Sequence, residues 1–304
     1  MTQASLSKRG VFTAKVRKNV AAGTGFYRLS LDLDVTGSAA FSQVCPGQFA
    51  ELDLCKVSLP ASENIPDDLI DVTVRQIILR RPFSFCDVNI TEESDASGVC
   101  IDILYCVIGP GTLRMTTLSE GDLISVIGPL GNGFSVPDGK QYALLVAGGM
   151  GVPPLLHLAK VLSEEHPDIN VIAIIGAKTV KELPISQDDF ARYTQIQLMA
   201  TDDGSAGLKG FVTVHLDEWL GKHRDLIGQT VIYSCGPEPM LAEAARLAGE
   251  YDVDCQVSLE RLMACGIGIC QSCAVETLSI DKTETVYKLC CKDGPVFNSR
   301  DVVF

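Results

Sequence analysis

The sequence predicts a multidomain β + α/β chain: an antiparallel β-barrel, then a parallel α/β domain, then a small Cys-rich domain. Three observations predict it. Short β-rich runs separated by turn residues fill residues 10–137 without a convincing helical period, and strands alternate with helices from about Gly139. Five of the twelve cysteines lie in the last forty residues. The corresponding boundaries are 1–138, 139–251 and 252–304.

In the first part, Val11–Val16, Gly25–Leu33, Gln48–Leu54, Val74–Leu79, Val99–Val107 and Leu123–Gly128 are the expected strands, with one short helix near Gly111–Leu118. Pro60–Asp71 and Thr91–Gly98 are acidic and turn-rich and predict surface loops. In the second part, Tyr142–Ala147, Asn170–Gly176, Gln195–Thr201 and Thr230–Cys235 read as strands, and Pro153–Glu165, Thr213–Leu220 and Glu238–Tyr251 as helices. The remainder, from about Asp252, is too small for a core of its own, and a metal centre would supply the missing stability.

Composition excludes several classes of function. The chain has 304 residues, 46% hydrophobic and 21% charged, which fits a soluble protein with a full core. A net charge of −13 would repel nucleic acid, and an acidic surface is ordinarily a solubility feature. Met1–Val20 is polar and basic and lacks an apolar h-region, so no secretory signal is expected and a cytoplasmic location follows. The longest apolar stretch, Tyr142–Leu162, contains four residues of Gly or Pro within Gly148–Pro153 and reads as strand, turn and helix, so no membrane span is expected. Seven cysteines (Cys45, Cys55, Cys86, Cys100, Cys106, Cys235 and Cys255) are scattered, mostly in apolar runs where a reduced Cys acts as a small hydrophobe.

The terminal cysteines carry the strongest chemical signal. Cys265, Cys270 and Cys273 have the C-x4-C-x2-C spacing of a plant-type [2Fe–2S] site, with Cys290 or Cys291 as the fourth thiolate. Gly266 and Gly268 let the loop fold tightly so that backbone N–H groups approach the sulfurs. Neighbouring side chains of an extended segment point to opposite sides, so only one of the adjacent pair is a ligand. Cys291, which leads into the turn Lys292-Asp293-Gly294-Pro295, is the choice. A four-cysteine zinc site would ordinarily show two C-x2-C pairs, and this chain shows one.

Two turns predict nucleotide binding in a Rossmann-like parallel α/β domain. Leu144–Ala147 runs into Gly148-Gly149-Met150-Gly151-Val152-Pro153, a glycine turn that opens a helix and would admit a pyrophosphate. Val231–Ser234 runs into Cys235-Gly236-Pro237, again at a helix start. In the barrel, Arg80-Arg81-Pro82-Phe83-Ser84 supplies a cation for a phosphate and a hydroxyl for a flavin ring nitrogen. Gly109-Pro110-Gly111-Thr112 offers backbone N–H groups and a hydroxyl to a phosphate.

These pieces, in this order, resemble the ferredoxin reductase-like family. With the terminal cluster the resemblance narrows to the electron-transfer subunits of type 1B dihydroorotate dehydrogenases. Ser258–Glu260, Met263–Gly268 and Cys291–Phe297 carry it, and Tyr105–Thr112, Gly128–Phe134 and Thr201–Ser205 also fit. It covers nearly the whole chain from about Val11. The resemblance implies one FAD, one [2Fe–2S] cluster and NAD as the pyridine nucleotide. It implies an FAD-binding β-barrel in which Arg81, Pro82, Phe83, Ser84, Leu104, Tyr105, Cys106, Gly111 and Thr112 hold the flavin. Cys265, Cys270, Cys273 and Cys291 would ligate the cluster. Gly148, Gly149, Gly151, Val152, Pro153, Cys235, Gly236 and Pro237 would face the nicotinamide nucleotide, with Ser84 and Cys235 positioning the reacting atoms.

The implied partner is the FMN-bearing catalytic subunit of dihydroorotate dehydrogenase, in a heterotetramer of two plus two acting in pyrimidine biosynthesis. The alternative is a flavin and iron–sulfur NAD(P)H reductase subunit of a ferredoxin, sulfur or hydrogenase complex. Cys265 argues against those transhydrogenase subunits that use Asp as first ligand. A third reading is a zinc-stabilised nucleotide-binding scaffold. The chain departs from the family in having Cys106 where Arg is usual, with Arg114 as the substitute cation, and in its longer segments 60–71 and 91–98. Lys178, after the second strand of the nucleotide domain, is the residue that would meet the 2′-phosphate of NADP.

Overall fold

The computed structural model describes residues 9–93, 96–184 and 187–304. Residues 1–8 of the basic N-terminal stretch, and 94 and 95 of the expected acidic loop, lie outside them. Among the described residues, no helix is long and apolar enough to cross a membrane.

Seven strands form the first sheet: β1 (Gly10–Gly23), β2 (Phe26–Leu33), β3 (Phe49–Leu52), β4 (Arg81–Ser84), β5 (Asp87–Glu93), β6 (Ala96–Cys106) and β7 (Leu123–Leu130). Their order is β4-β3-β7-β1-β2-β6-β5, antiparallel throughout, so the half-barrel is open between β4 and β5. Alternation fixes the register: Ala14 and Val16 point into the core with Leu29, Leu31, Ile101 and Ile103. A helix the periodicity did not announce, α1 (Val35–Phe41), closes one end. Asp34 caps it by accepting from Gly37 N at 2.7 Å, which with its other hydrogen bonds holds the carboxyl below the usual range. Phe41 then packs edge-on against Phe12 and Phe85, with ring centroids 5.9 Å apart in both pairs. The short helix α2 is Pro110–Met115.

Two expectations fail here. Val74–Leu79 is not a strand: Val74 is 85% and Ile78 79% exposed, and of its β-branched residues Ile77 alone is buried, in the half-barrel core. The flavin-motif residues themselves form β4 instead. Of the expected loop Thr91–Gly98, Thr91–Glu93 end β5 and Ala96–Gly98 begin β6, with Thr91 paired to Gly98 and Glu93 to Ala96. Pro60–Asp71 is a surface segment with two 3-10 turns, Ser62–Asn64 and Asp67–Val72.

The second sheet contains β8 (Tyr142–Gly148), β9 (Asn170–Ala177), β10 (Ile196–Thr201), β11 (Leu208–Lys209), β12 (Thr230–Cys235) and β13 (Asp254–Ser258), all parallel. A separate hairpin is made by β14 (Ala274–Leu278) and β15 (Thr285–Leu289). Then β16 (Val296–Asn298) returns antiparallel to β13, giving the order β11-β10-β9-β8-β12-β13-β16. The residues that open and close the Cys-rich segment are thus strands of the nucleotide sheet. Helix α3 (Val152–Glu165) covers one face through Leu155, Leu158 and Leu162. After α4 (Gln187–Ala191), α5 (Val212–Lys222) and α6 (Glu238–Tyr251) cover the other through Leu216, Trp219, Leu241 and Leu247. Cover on both faces is why β8 and β9 read as unbroken apolar runs.

A charge network joins the two sheets. The Lys160 ammonium, on α3, donates to Asp87 Oδ1 at 2.7 Å, Asn89 Oδ1 at 2.9 Å and Val88 O at 3.2 Å, all on β5. All three of its donors are therefore used. Arg28 pairs with Asp102 at 2.7 Å and reaches Asp87 at 3.7 Å. Burial pulls Asp87 up, but the Lys160 and Asn89 hydrogen bonds and both cations hold it below the usual carboxylate range. His157, one turn before Lys160, is 3% exposed with Nδ1 unpartnered. Burial pushes its imidazole down to about 4, with Lys160 adding to the effect and Asp87 opposing it.

Lys160→Met should lower the thermal midpoint by an amount equivalent to about 2–3 kcal/mol, less than the roughly 3–5 of a fully buried pair because both partners keep some solvent. Because the folded pKa of His157 is depressed from 6.5, its contribution is complete above pH 6.5 and lost as pH falls through about 4. Thermal melts across that window should show the loss, and a midpoint unmoved by either change would remove the network as a stabilising joint.

Candidate functional site

The sheet order reverses between β8 and β12, so the crevice of the parallel sheet opens at their carboxyl ends. Both sequence-predicted turns lie there. Ala147 is in register with Cys235, and Gly148 and Gly236 follow side by side. A Cβ on Gly151 would collide with the Cys235 carbonyl, so the two turns touch backbone to backbone. Gly149 has φ +50°, a conformation that favours glycine. Val152 and Pro153 begin α3 with their side chains buried. They shape the turn and point the start of a 14-residue helix at the crevice, although Pro153 and Pro154 carry no N–H and the Val152 N–H is taken by Gly149 O. Pro237 precedes α6 in the same way.

Cys235 retains some accessible surface, but its sulfur is enclosed. Burial pushes the thiol up to about 12, against the Ser258 hydrogen bond, so it stands as a neutral thiol at the crevice. That suits positioning and not nucleophilic attack.

On the half-barrel, β4 is an edge strand. Ser84 is in register with Phe49 and Pro82 with Glu51, so these four share the outer face of the sheet, whereas Phe83 packs against the barrel core. Arg81 donates through Nη1 to Leu79 O at 3.0 Å, and its stem lies 3.3 Å from where a Cβ of Gly111 would be. The Arg-Pro-Phe-Ser strand and the Gly-Pro-Gly-Thr turn therefore meet, and Gly111 lets the Arg81 stem and Leu54 pack closely on the turn. Arg114 reaches back to Pro110 O at 3.2 Å, at the same turn. The Thr112 hydroxyl accepts from Ile108 N at 3.0 Å and Gly109 N at 3.2 Å, so here it closes the turn. Tyr105 points into the barrel, stacked on Tyr27 and donating to Asn19 Oδ1 at 3.1 Å, so only its backbone faces outward. Leu104 packs toward α3, and Cys106, its thiol raised by burial and by Glu182, points out of the barrel beside it. Arg80 is spent on Ser125 and Asp53.

The cysteine loop folds around its own sulfurs. Cys265 Sγ accepts from Ile269 N and Cys270 N, both at 3.4 Å. Cys270 is exposed, and hydrogen bonds from Ser272 and Cys265 bring its thiol down to about 6. Cys291 N donates to Cys273 Sγ at 3.4 Å, and the Gly268 N–H is directed at the Cys291 sulfur. Burial, then the neighbouring Cys273, push Cys291 up to about 12. The four sulfurs thus form two pairs, 265 with 270 and 273 with 291. No three His, Cys, Asp or Glu side chains among the described residues converge on one ion position. Two pairs fit two irons better than one tetrahedral zinc, and N–H donors aimed at sulfur suit thiolates bound to metal. Cys290 turns the other way: its thiol donates to Leu259 O at 3.3 Å in the core. The loop is clamped to the half-barrel by Asn132, whose backbone N–H donates to Gly294 O at 2.6 Å and whose side-chain amide donates to Asp293 O at 2.9 Å.

Sequence reasoning missed Glu51. It is 1% exposed, on β3, and a Cβ on Gly266 (φ +65°) would sit 2.5 Å from its carboxyl carbon. Burial raises its pKa, while Arg80 and Arg81 oppose the shift and Cys270 adds to it. An acid in the run Phe49-Ala50-Glu51-Leu52 was the available signal, but the alternation alone reads as a solvated face.

Residues 260–303 match the model of the iron–sulfur cluster binding domain of dihydroorotate dehydrogenase B, and residues 145–246 the oxidoreductase NAD-binding domain. The electron transfer subunit of dihydroorotate dehydrogenase B (NAD(+)) from Caldanaerobacter subterraneus subsp. tengcongensis is 38% identical over 226 residues, 74% of this chain and 81% of that protein. The subunit of the same name from Bacillus caldolyticus is 34% identical over 290 residues, covering 94% and 98%. Among solved structures, that of an NADH-dependent reduced ferredoxin-NADP oxidoreductase superposes with a TM-score of 0.70 at 26% identity, over 100% of this chain and 91% of that one.

Cys291→Ser should lose the visible iron–sulfur absorption of the purified protein, while Cys290→Ser should retain it at a lower melting temperature. Iron and sulfide content per chain checks both, and the reverse pattern would exchange the roles of the two residues.

Proposed function

The chain belongs to the family of dihydroorotate dehydrogenase B electron-transfer subunits, and on that premise we propose that it carries electrons from dihydroorotate, oxidised at the FMN of a catalytic partner, to NAD. The observation that carries this reading is the seating of the cysteine loop on the half-barrel, through Asn132 and through Gly266 on Glu51, beside the strand Arg81–Ser84.

Bound FAD supplies the exchange between two-electron hydride chemistry and single-electron transfer, and the [2Fe–2S] cluster carries the single electrons. The chain's own residues bind and orient. Arg81 and the turn at Gly111 and Thr112 hold the flavin phosphates, with Arg114 in place of the cation missing at Cys106. Leu104, Tyr105 and Cys106 lend the backbone of β6, Pro82 and Ser84 line the ring, and Phe83 holds their strand from the barrel side. Gly148, Gly149 and Gly151 bring bare backbone up to the nicotinamide dinucleotide, and Val152 and Pro153, which offer it no free N–H, start the helix that backs the turn. Cys235, Gly236 and Pro237 bound its nicotinamide end, where the neutral thiol of Cys235 excludes water and fixes the ring. Ser84 donates its hydroxyl toward the flavin atom that gives up the hydride. Cys265, Cys270, Cys273 and Cys291 hold the cluster. Residues 1–138, 139–251 and 252–304 are the corresponding functional divisions, and we place the protein in the cytoplasm as a heterotetramer of two electron-transfer and two catalytic subunits.

A second reading is favoured by the whole-chain likeness to the ferredoxin-NADP oxidoreductase structure: the same reductase serving another redox complex of ferredoxin, sulfur or hydrogenase type.

Anaerobic reconstitution at 1:1 with the catalytic subunit from the same source should give dihydroorotate-dependent NAD reduction that needs both chains. Bleaching of the flavin by NADH without that activity would remove the pyrimidine assignment and leave the second reading. Ser84→Ala should slow single-turnover flavin reduction about tenfold, the worth of one hydrogen bond, with cluster content unchanged. An unchanged rate would end that role for Ser84.

A further inference from the structure

We propose that Glu51 is a positioning residue that sets the energy of an electron on the cysteine loop relative to the flavin strand. The assignment rests on the reading of Cys265, Cys270, Cys273 and Cys291 as cluster ligands. Along β3, Ala50 and Leu52 point into the barrel core, while Phe49 belongs to the core that also contains Cys273 and Cys291. Glu51 shares the outer face with Phe49 and so lies beneath the Cys-rich segment.

Four features make this carboxyl more than a packed side chain. It is 1% exposed. Its Oε1 has no hydrogen-bond partner. It is pressed on the backbone of Gly266, the residue after Cys265, where only a glycine leaves room. Its cross-strand neighbour is Pro82 of the flavin strand, about 4.5–5.5 Å away between Cβ atoms. A buried polar atom without a partner is costly, and redox sites are among the few places where such atoms persist. Glu51 also stands between charges, with Arg80 and Arg81 on the barrel side and Cys270 on the loop side.

The physical effect has a definite sign. Each electron that arrives on the loop adds one negative charge there, and two such single transfers, with one proton taken up from water at the flavin, balance one hydride at the nicotinamide. A carboxylate in a water-poor interface repels the added charge, and net charge is one of the levers that set iron–sulfur potentials. Glu51 therefore holds the loop's potential down and favours onward transfer to the flavin side. It gives up no proton and touches neither nicotinamide turn.

The test is a redox titration of the purified holoprotein at pH 8, followed by electron paramagnetic resonance of the cluster, for wild type, Glu51→Gln and Glu51→Asp. The Gln variant should raise the reduced-to-oxidised ratio at a fixed poise about tenfold, which is about 59 mV for one electron, and the Asp variant should return toward wild type. Glu51→Met, with no polar atom, should repeat the Gln shift. An unchanged ratio in neutral variants that assemble, or equal shifts in Gln and Asp, would overturn the proposal. Loss of the cluster from both neutral variants would also overturn it by assigning Glu51 to structure alone. No cluster signal in wild type would instead overturn the ligand reading on which the proposal rests.

Discussion

Phe49, Ala50, Glu51 and Leu52 are all buried, on a strand of only four residues. One face of β3 completes the half-barrel and the other is the floor for the Cys-rich segment. That double burial ties the redox elements together. If β3 slipped by one residue, every side chain would change face: Glu51 would enter the barrel core and Phe49 would leave the second core. The pairing of Phe49 with Ser84 and of Glu51 with Pro82 then carries the same register into β4.

A second constraint operates at the parallel sheet. Two turns that touch through Gly151 and the Cys235 carbonyl can do so only without a Cβ between them, and this brings the N-terminus of α3 beside Cys235. Lys160, about two turns along the same helix, then fixes α3 to β5. One helix therefore both points its start at the crevice and is tied to the half-barrel. The loop turn at Gly294 and Asn132 completes the third side.

Much of this was legible in the sequence because it depends on local chemistry. The C-x4-C-x2-C spacing, the glycine turns and the apolar runs of β8, β9 and β12 mark their elements without reference to distant residues. What was illegible depends on coverage from afar. Val74–Leu79 has strand composition, but no neighbouring strand takes it up. The ends of β5 and β6 at Thr91 and Gly98 read as loop because acidic, turn-forming residues carry no strand pattern, and only their pairing makes them strand. Asp254–Ser258 reads as the start of a tail, yet it finds a parallel partner in β12. Cys290 and Cys291 are chemically identical; the turn that follows favoured Cys291 as the ligand, and what the sequence did not show is the Leu259 carbonyl that takes the Cys290 thiol. Glu51 is hidden by a loop that follows it far along the chain.

The place of β4 at the rim of its sheet has a further meaning. An edge strand offers unpaired N–H and C=O groups, which is a hazard for any protein at high concentration. This strand is four residues long and contains Pro82, which has no N–H to offer. Brevity and proline are the devices by which natural sheets discourage strand addition from another molecule. The Arg-Pro-Phe-Ser sequence thus also guards against aggregation, because the rim it forms is short and poor in donors for a second chain.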